Sequence, residues 1–386
     1  MTGRRCTLTA DAIWTPSGLR RGLAVDLDGA RILDVRSVRR GDPPPHRGIL
    51  IPGLVNAHTH VEFGGPAVGG GTGFVDWVGD LMSHPYARNA HGSSVAQLVA
   101  AGTAWVVDVG QSSAVAAKAM RTAGLAGVCH QEVMGFDERE LATQRHLARR
   151  FRSMGCGGVW QRATPHALFS TAPPLVHDLV RFGLGPPATI HVGESEDEVD
   201  FLMSGQGPHA DLLDRLGRRW RWWSPAVCRP IELLDRMGLL GRQLLLVHGV
   251  QFHAADLRRA AVAGAPLVAC ARSNLHIGGR LPALDRWWAL GGDLALGTDG
   301  RVSTRDLDVL AELPVLSRAF PTIPMAWWLA AVTHMGARVT GAPAHLGRIE
   351  VGCAPGLVLL EELDSLESLG EEVPSRRWLV KPGRWS

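Results

Sequence analysis

The chain has 386 residues, of which 46% are apolar and 20% charged, and a formal net charge of +3. That is long enough for one large barrel of roughly 250 residues plus a modest second unit, and too nearly neutral for a nucleic-acid surface. The basic clusters at 145–152 and 215–221 read as solvated helix faces. Cys6, Cys129, Cys156, Cys228, Cys270 and Cys353 form no C-x-x-C pair, so reduced thiols in a cytoplasmic protein are expected. The N-terminal residues lack the apolar core of a signal peptide, and no apolar run is long enough to span a bilayer, so no membrane partner is expected.

From the N-terminus, short β-type runs at 6–13, 23–27 and 31–35 alternate with Gly, Asp and Pro turns, the pattern of a small antiparallel sheet. The run Gly41-Asp-Pro-Pro-Pro45 breaks any regular element before the next strand. Strand-like runs return at 357–360 and 378–380. The economical expectation is one small β-sandwich domain composed of 1–50 and 346–386, beside a central unit over 51–345.

In the central unit, apolar runs at 54–58, 104–109, 126–130, 158–164, 188–192, 244–247, 266–270 and 293–297 alternate with helical periods at 95–101, 114–123, 141–151, 230–237, 254–263 and 325–335. Eight fully apolar strands, each followed by a helical segment, predict an α/β fold of the (β/α)8 TIM-like barrel type. No G-x-G-x-x-G loop follows any of them, which counts against a dinucleotide fold. Two long connections are candidate mouth loops: 63–92, with its run Gly69-Gly-Gly-Thr-Gly73 and the sole tyrosine, Tyr86, and 205–228, with Trp220-Arg-Trp-Trp223. Packing against a neighbouring element is the other reading of the Trp cluster.

The strand ends carry the chemistry. His58-Thr-His60 closes the first strand, and residues i and i+2 share a face, so both imidazoles can reach one metal ion. Alone, such a pair is more often two surface or core-edge histidines. Thr164-Pro-His166, His191-Val-Gly-Glu194, His248 and Thr298-Asp299 end further strands, however, and a parallel barrel gathers those ends into one ring. The set reads as a mononuclear metal site.

These residues carry a resemblance. Pro52-Gly-Leu-Val-Asn-Ala-His-Thr-His60-Val-Glu62, Pro165-His166-Ala, His191-Val-Gly-Glu194-Ser, His248, Arg272-Ser-Asn274-Leu and Leu296-Gly-Thr-Asp299 resemble, in order, the motifs of the amidohydrolase superfamily, in particular its deaminase and chlorohydrolase branch. The resemblance spans nearly the whole chain and includes the return segment Leu346-Gly-Arg-Ile-Glu-Val-Gly352. Binuclear members bridge two metals with a carboxylated lysine at a strand end. Here only Lys118 and Lys381 are lysines and neither is so placed, which implies a single ion.

By resemblance and by geometry, His58, His60, His191 and Asp299 would ligate that ion, Zn²⁺ first and Fe²⁺ as a realistic substitute. Asp299 would also take a proton from water, His248 would hold the nucleophilic oxygen, and Glu194 would serve as acid. The helix reading of 194–198 keeps Glu196, Asp197 and Glu198 structural. His166 is expected at the substrate, Glu62 at ribose hydroxyls, and Arg272, Ser273 and Asn274, taken as the end of strand seven, at a polar or carboxylate group. The set most resembles the aminodeoxyfutalosine deaminases of menaquinone biosynthesis, implying loss of ammonia from an adenine-type nucleoside. Ala271, Phe169 and Gly300 depart from the pattern expected of that group. A chlorohydrolase, an S-adenosylhomocysteine, adenosine or guanine-type deaminase, and a non-catalytic nucleoside-binding relative remain alternatives. A small nucleoside-like substrate is the expected partner, and a homodimer is compatible with the sequence.

Overall fold

The computed structural model describes residues 5–70, 73–83, 89–150 and 154–383. Tyr86 and part of the glycine-rich run of the first mouth loop lie outside the described residues. The chain opens with β1 (Arg5–Thr15), β2 (Gly18–Arg20), β3 (Leu23–Asp28), β4 (Arg31–Ser37) and β5 (His46–Pro52). After Gly53 it enters the central unit: β6 (Leu54–Thr59), β7 (Thr103–Gly110), β8 (Ala126–Val133), β9 (Met154–Cys156), β10 (Val159–Pro165), β11 (Ala188–Val192), β12 (Leu244–His248), β13 (Leu267–Ala269) and β14 (Leu294–Leu296). β15 (Leu357–Glu361) and β16 (Arg376–Val380) return to the start.

Each of the eight apolar runs predicted between 54 and 297 forms a strand. They lie in two sheets, β6-β7-β8-β10-β9 and β11-β12-β13-β14, parallel throughout except for the edge hairpin of β9 on β10. β6, β7, β11 and β12 are buried at every position, because helices such as Ser113–Ala123 and Ala254–Ala263 lie between successive strands. Strands buried on both faces cannot alternate apolar with polar residues, hence the continuous Val, Ile and Leu runs. The arrangement is a TIM-barrel-like α/β fold.

Two seams join the sheets. Between β10 and β11, His191 N–H donates to the His166 carbonyl at 2.9 Å, and Thr164 Oγ1 donates to Thr189 O at 2.5 Å and accepts from Thr189 N–H at 2.9 Å. Between β14 and β6, the His58 carbonyl accepts from both Thr298 N–H (3.0 Å) and Asp299 N–H (3.1 Å), and Asn56 Nδ2 donates to Thr298 Oγ1 at 2.9 Å. Gly297 makes this second seam possible: a Cβ there would lie 2.7 Å from both the His58 Cβ and its carbonyl oxygen.

The ends of the chain meet as expected, in a seven-stranded mixed sheet ordered β16-β15-β5-β1-β3-β4, with β2 on β1. β1 is shared along its length, Arg5–Thr9 pairing β3 and later residues pairing β5 and β2. Its core, Ile13, Val25, Leu27, Ile32, Leu50, Ile349, Leu357 and Leu359, draws on both termini. Among the described residues no helix is long and apolar enough to cross a membrane.

Three local expectations change. The helix predicted over 325–335 is broken into Met325–Ala331 and His334–Val339. At the break Thr333 Oγ1 donates to Leu329 O at 2.6 Å and accepts from Trp14 Nε1, a side-chain bond that competes with the helical ladder. β8 continues to Val133, beyond the expected end at 130, because β10 pairs with it in register as far as Pro165. The Trp cluster of the second mouth loop packs inward: Trp223 stacks on Phe201 at 5.3 Å, and Trp222 Nε1 donates to Phe136 O at 3.1 Å.

Replacing Gly297 by Ala would drive a methyl group into the His58 backbone. The expected cost is about 1–3 kcal/mol, read as a lower chemical-denaturation midpoint, together with weakened metal binding because His58 is displaced.

Candidate active site

Parallel strands in register end at one edge, and at that edge His58, His60, His191, His248 and Asp299 converge. Ring centroids of His58 lie 4.9 Å from those of both His60 and His191, and His191 stacks at 5.4 Å on His248. Nitrogens of His58 and His60 and a carboxylate oxygen of Asp299 fall within 4.8 Å of one another, as do nitrogens of His58, His191 and His248. Both ring nitrogens of His58 and Nδ1 of His60 are buried without a hydrogen-bond partner. Lone pairs left bare inside a protein are costly unless something satisfies them. Clustered imidazoles facing one carboxylate are the donor set that a divalent ion satisfies. The residues present therefore fit a divalent ion, which His58 could share with His60 and Asp299 or with His191 and His248.

His191 and Asp299 are each oriented by a second contact. His191 Nδ1 lies 3.0 Å from the His166 carbonyl. A carbonyl only accepts, so Nδ1 carries the proton and Nε2 keeps the lone pair. Asp299 Oδ2 accepts from Ser273 Oγ at 2.5 Å and Ser303 Oγ at 3.0 Å, which leaves Oδ1 facing His60 Nε2 at 3.3 Å and His58 Nε2 at 3.7 Å. Burial works against ionisation of this carboxyl, but the imidazoles around it override burial and hold it well below the usual range. Burial pushes the His60 pKa down to about 4 and that of His248 to about 3, so both rings are neutral at pH 7.

Two of these residues sit in the left-handed region, His248 at φ 75° and Asp299 at φ 60°. Residues with a Cβ reach it at a cost of order 1–3 kcal/mol and keep it only when their surroundings enforce it. Here the seam bonds of Asp299 and the adjacent Gly249 N–H to Val192 O bond (3.1 Å) hold the turns. The strain aims both side chains off the strand ends into the cluster.

Glu194 follows β11 on a turn built around Gly193 (φ 62°), where a Cβ would meet the Phe252 ring at 2.5 Å. Its Oε2 lies 3.6 Å from His248 Nε2. Burial, reinforced by the charges of Asp299 and Glu198, raises its pKa well above the usual carboxylate range and favours the protonated form. Glu198, read from the sequence as a helix residue, lies in the helix Glu196–Ser204 and also braces this turn: its Oε2 accepts from Gly193 N–H at 2.6 Å.

The expected substrate residues divide. Glu62 and His166 stand at the same edge, Glu62 accepting from Gln111 N–H at 3.2 Å and His166 Nδ1 meeting Ser170 Oγ at 2.5 Å. Arg272, Ser273 and Asn274 do not end strand seven. β13 stops at Ala269, and these three form the first turn of the helix Ala271–Gly278. Arg272 is occupied elsewhere: Nε donates to Glu312 Oε1 at 2.6 Å and Nη1 to Asp306 Oδ1 at 2.8 Å, while Nη2 caps the Asp306 and Asp308 carbonyls. Ser273 contacts Asp299, and Asn274 Nδ2 lies 2.9 Å from His248 Nδ1. Arg272 thus braces the turn, and the other two hold site residues.

Sequence reasoning missed Glu132. It ends β8, is buried, and places Oε1, without a hydrogen-bond partner, 3.7 Å from His191 Nδ1 and 3.9 Å from His166 Nε2. Burial, then the charges of Glu62, Asp299 and Asp108, raises its pKa to about 8. The available signal was its position two residues past His130 on a strand that had been ended too early. Ser303 was also missed, four residues after Asp299 on the turn that bends back to it.

The Asp299 contacts predict that Ser273→Ala and Ser303→Ala each weaken metal affinity about 10–100-fold, the usual loss when a ligand's outer partner is removed. Competition with a fluorescent chelator measures this. Affinity unchanged in the double variant would contradict the assignment.

Comparison with known proteins gives a consistent picture. The family described as "Amidohydrolase family" matches residues 49–376. A 5-methylthioadenosine/S-adenosylhomocysteine deaminase of Halobacterium salinarum is 26% identical over 367 residues, covering 87% of this chain and 79% of that protein. An aminodeoxyfutalosine deaminase of Deinococcus radiodurans is 27% identical over 315 residues, covering 76% and 73%. Among solved structures, Helicobacter pylori aminofutalosine deaminase in complex with methylthio-coformycin superposes with a TM-score of 0.81 at 17% identity, covering 99% of this chain and 100% of that one. A zinc-bound adenosine deaminase from Xanthomonas campestris gives 0.74 at 22% identity, covering 96% and 89%. The structural likenesses speak for a shared fold.

Proposed function

The chain belongs to the amidohydrolase family, whose members are metal-dependent hydrolases, and we propose from that premise that it is a hydrolytic deaminase of an adenine-type nucleoside derivative, with 6-amino-6-deoxyfutalosine as the preferred substrate. Deaminases among its relatives support the reaction class. The same premise takes the two parallel sheets as halves of one (β/α)8 barrel over 51–345, with 1–50 and 346–386 as a small β-sandwich beside it.

The observation that carries the reading is the pair of buried carboxyls at the histidine cluster, Asp299 at His58 and His60 and Glu194 at His248. Asp299 is ionised, tied by two hydroxyls and turned toward the imidazoles. Glu194, whose pKa burial raises, faces His248 Nε2. Two carboxyls whose surroundings drive their pKa values apart are an acid and a base ready at one pH. His58, His60, His191 and Asp299 would hold a single divalent ion, Zn²⁺ by preference, which would supply a water of lowered pKa. Asp299 is placed to accept a proton from the attacking water. His248 hydrogen-bonds the oxygen as it adds to the ring carbon that bears the amino group. Glu194 gives its proton to the adjacent ring nitrogen, which makes that carbon electrophilic, and the proton taken from water is then passed to the departing amine. Water is consumed, the C–N bond breaks, the remaining hydroxyl proton returns to Glu194 as the carbonyl forms, and the products are a ring carbonyl and ammonia. Glu62 and His166, on the opposite sheet, hold the nucleoside.

Three measurements test this. Metal analysis should find about one equivalent of Zn or Fe. Two equivalents would overturn the single-ion reading. Absorbance and ammonia release on a panel of 6-amino-6-deoxyfutalosine, 5-methylthioadenosine, S-adenosylhomocysteine, adenosine, guanine, a chlorotriazine and an amide should give the highest kcat/KM for the first. Turnover of the amide or the chloride alone would refute deamination. Glu194→Ala should retain metal while kcat falls about 10²–10⁴-fold, the usual contribution of a positioned acid.

A further inference from the structure

His58, His191 and His248 bring nitrogens within 4.8 Å of one another, so by distance alone His248 qualifies as a fourth imidazole on the ion. What separates a ligand from a hydrogen-bond donor is which ring nitrogen holds the proton. A neutral ring with its lone pair on Nε2 coordinates. A ring with Nε2–H cannot, and presents a donor instead.

The atom that decides is Nδ1, and its partner is Asn274 Nδ2 at 2.9 Å, in a contact where both side chains are buried. An amide NH₂ only donates, so Nδ1 must accept, and the proton of the neutral ring then sits on Nε2. Nε2 in turn lies 3.6 Å from Glu194 Oε2, on the side of the ring where the reaction is expected. We infer that Asn274 is a positioning residue that fixes the tautomer of His248, keeping Nε2–H available to the reacting oxygen and keeping the ring off the metal.

Asn274 is well placed for this. Its backbone N–H donates to Cys270 O at 2.9 Å, locking it into the first turn of its helix. Two residues earlier, Arg272 N–H donates to Glu312 Oε2 at 2.9 Å, and the Arg272 guanidinium is tied to Glu312 and Asp306. The intervening Ser273 bonds Asp299. One helical turn, anchored by a buried ion pair, therefore sets the hydrogen-bond state of two neighbouring site residues.

The kinetic consequence rests on the role proposed for His248, but the tautomer itself does not, so the two can fail separately. The direct measurement is a long-range ¹H–¹⁵N spectrum of the zinc-loaded protein labelled with ¹⁵N-histidine, with His248 assigned through His248→Asn. The expected wild-type signal is the Nε2–H tautomer, and a His248 ring protonated on Nδ1 would overturn the inference without any variant of Asn274. Asn274→Asp is the matched perturbation, since it keeps shape but can only accept, which pulls the proton to Nδ1. It should move the His248 signal to the Nδ1–H or doubly protonated form. It should also lower kcat about 10²–10⁴-fold, as wrong-tautomer variants of buried histidines do, with KM changed only a few-fold. Asn274→Asp at wild-type kcat with an unshifted ring would overturn the assignment. An Asn274-dependent tautomer in a protein that deaminates nothing on the panel would uphold this inference and sink the proposed function.

Discussion

The arrangement depends on one backbone oxygen. The His58 carbonyl accepts from both Thr298 and Asp299 N–H groups, joining the first parallel strand to the turn after the last. The same contact sets two imidazoles and the carboxylate beside each other. The opposite seam has the same character, with the His166 carbonyl accepting from His191 N–H and from His191 Nδ1. At both places the sheets are held together by residues of the site. A parallel ladder that continued regularly past these points would direct side chains alternately to either face. Interrupting it lets Asp299 adopt positive φ and turn inward. Fold stability and ligand placement are thus coupled through a few hydrogen bonds, and a change that loosens the seam reaches the site as well.

Burial makes this coupling consequential. The histidines and carboxyls of the cluster are nearly all withdrawn from solvent, so each polar atom needs a partner or costs free energy. The partners are distributed with a clear logic. Atoms facing away from the centre are satisfied by protein: His191 Nδ1 by a carbonyl, Asp299 Oδ2 by two hydroxyls, His248 Nδ1 by an amide. Both ring nitrogens of His58 and Nδ1 of His60 are left bare. An ion in that position removes the penalty and so contributes to stability as well as to chemistry.

Much of this was legible in the sequence, for identifiable reasons. Strands buried on both faces are continuous apolar runs, and a polar residue that ends such a run is conspicuous, so His58, His191, His248 and Asp299 stood out. What was hidden depended on contacts distant in sequence. Arg272 looked like a free cation until Glu312 and Asp306, forty and thirty-four residues on, were seen to occupy it. Ser273 and Asn274 looked like strand-end binders because the run at 266–270 suggested a longer strand. Only three of its residues pair, and the helix starts at Ala271. Glu132 was lost because polar Gln131 and Glu132 seemed to end a strand that pairing with β10 carries further.

The two sheets carry different duties on the proposed reading, which bears on how such a site changes specificity. The acid, the oxygen-binding imidazole and the base all project from the sheet β11-β12-β13-β14 or the turns after it. They are tied to one another through Glu198, Asn274, Ser273 and Ser303. The sheet β6-β7-β8-β10 contributes Glu62, Glu132 and His166 around the other side. Those side chains make few bonds to the proton-handling set, and burial leaves the Glu132 carboxyl unpaired. Only the ligand histidines belong to both groups, His58 and His60 from one sheet and His191 from the other. Substitutions of Glu62, Glu132 or His166 can therefore alter what is bound while leaving the proton-transfer geometry intact. A substitution in the hydrogen-bonded turn at 272–274 changes the reaction whatever the substrate.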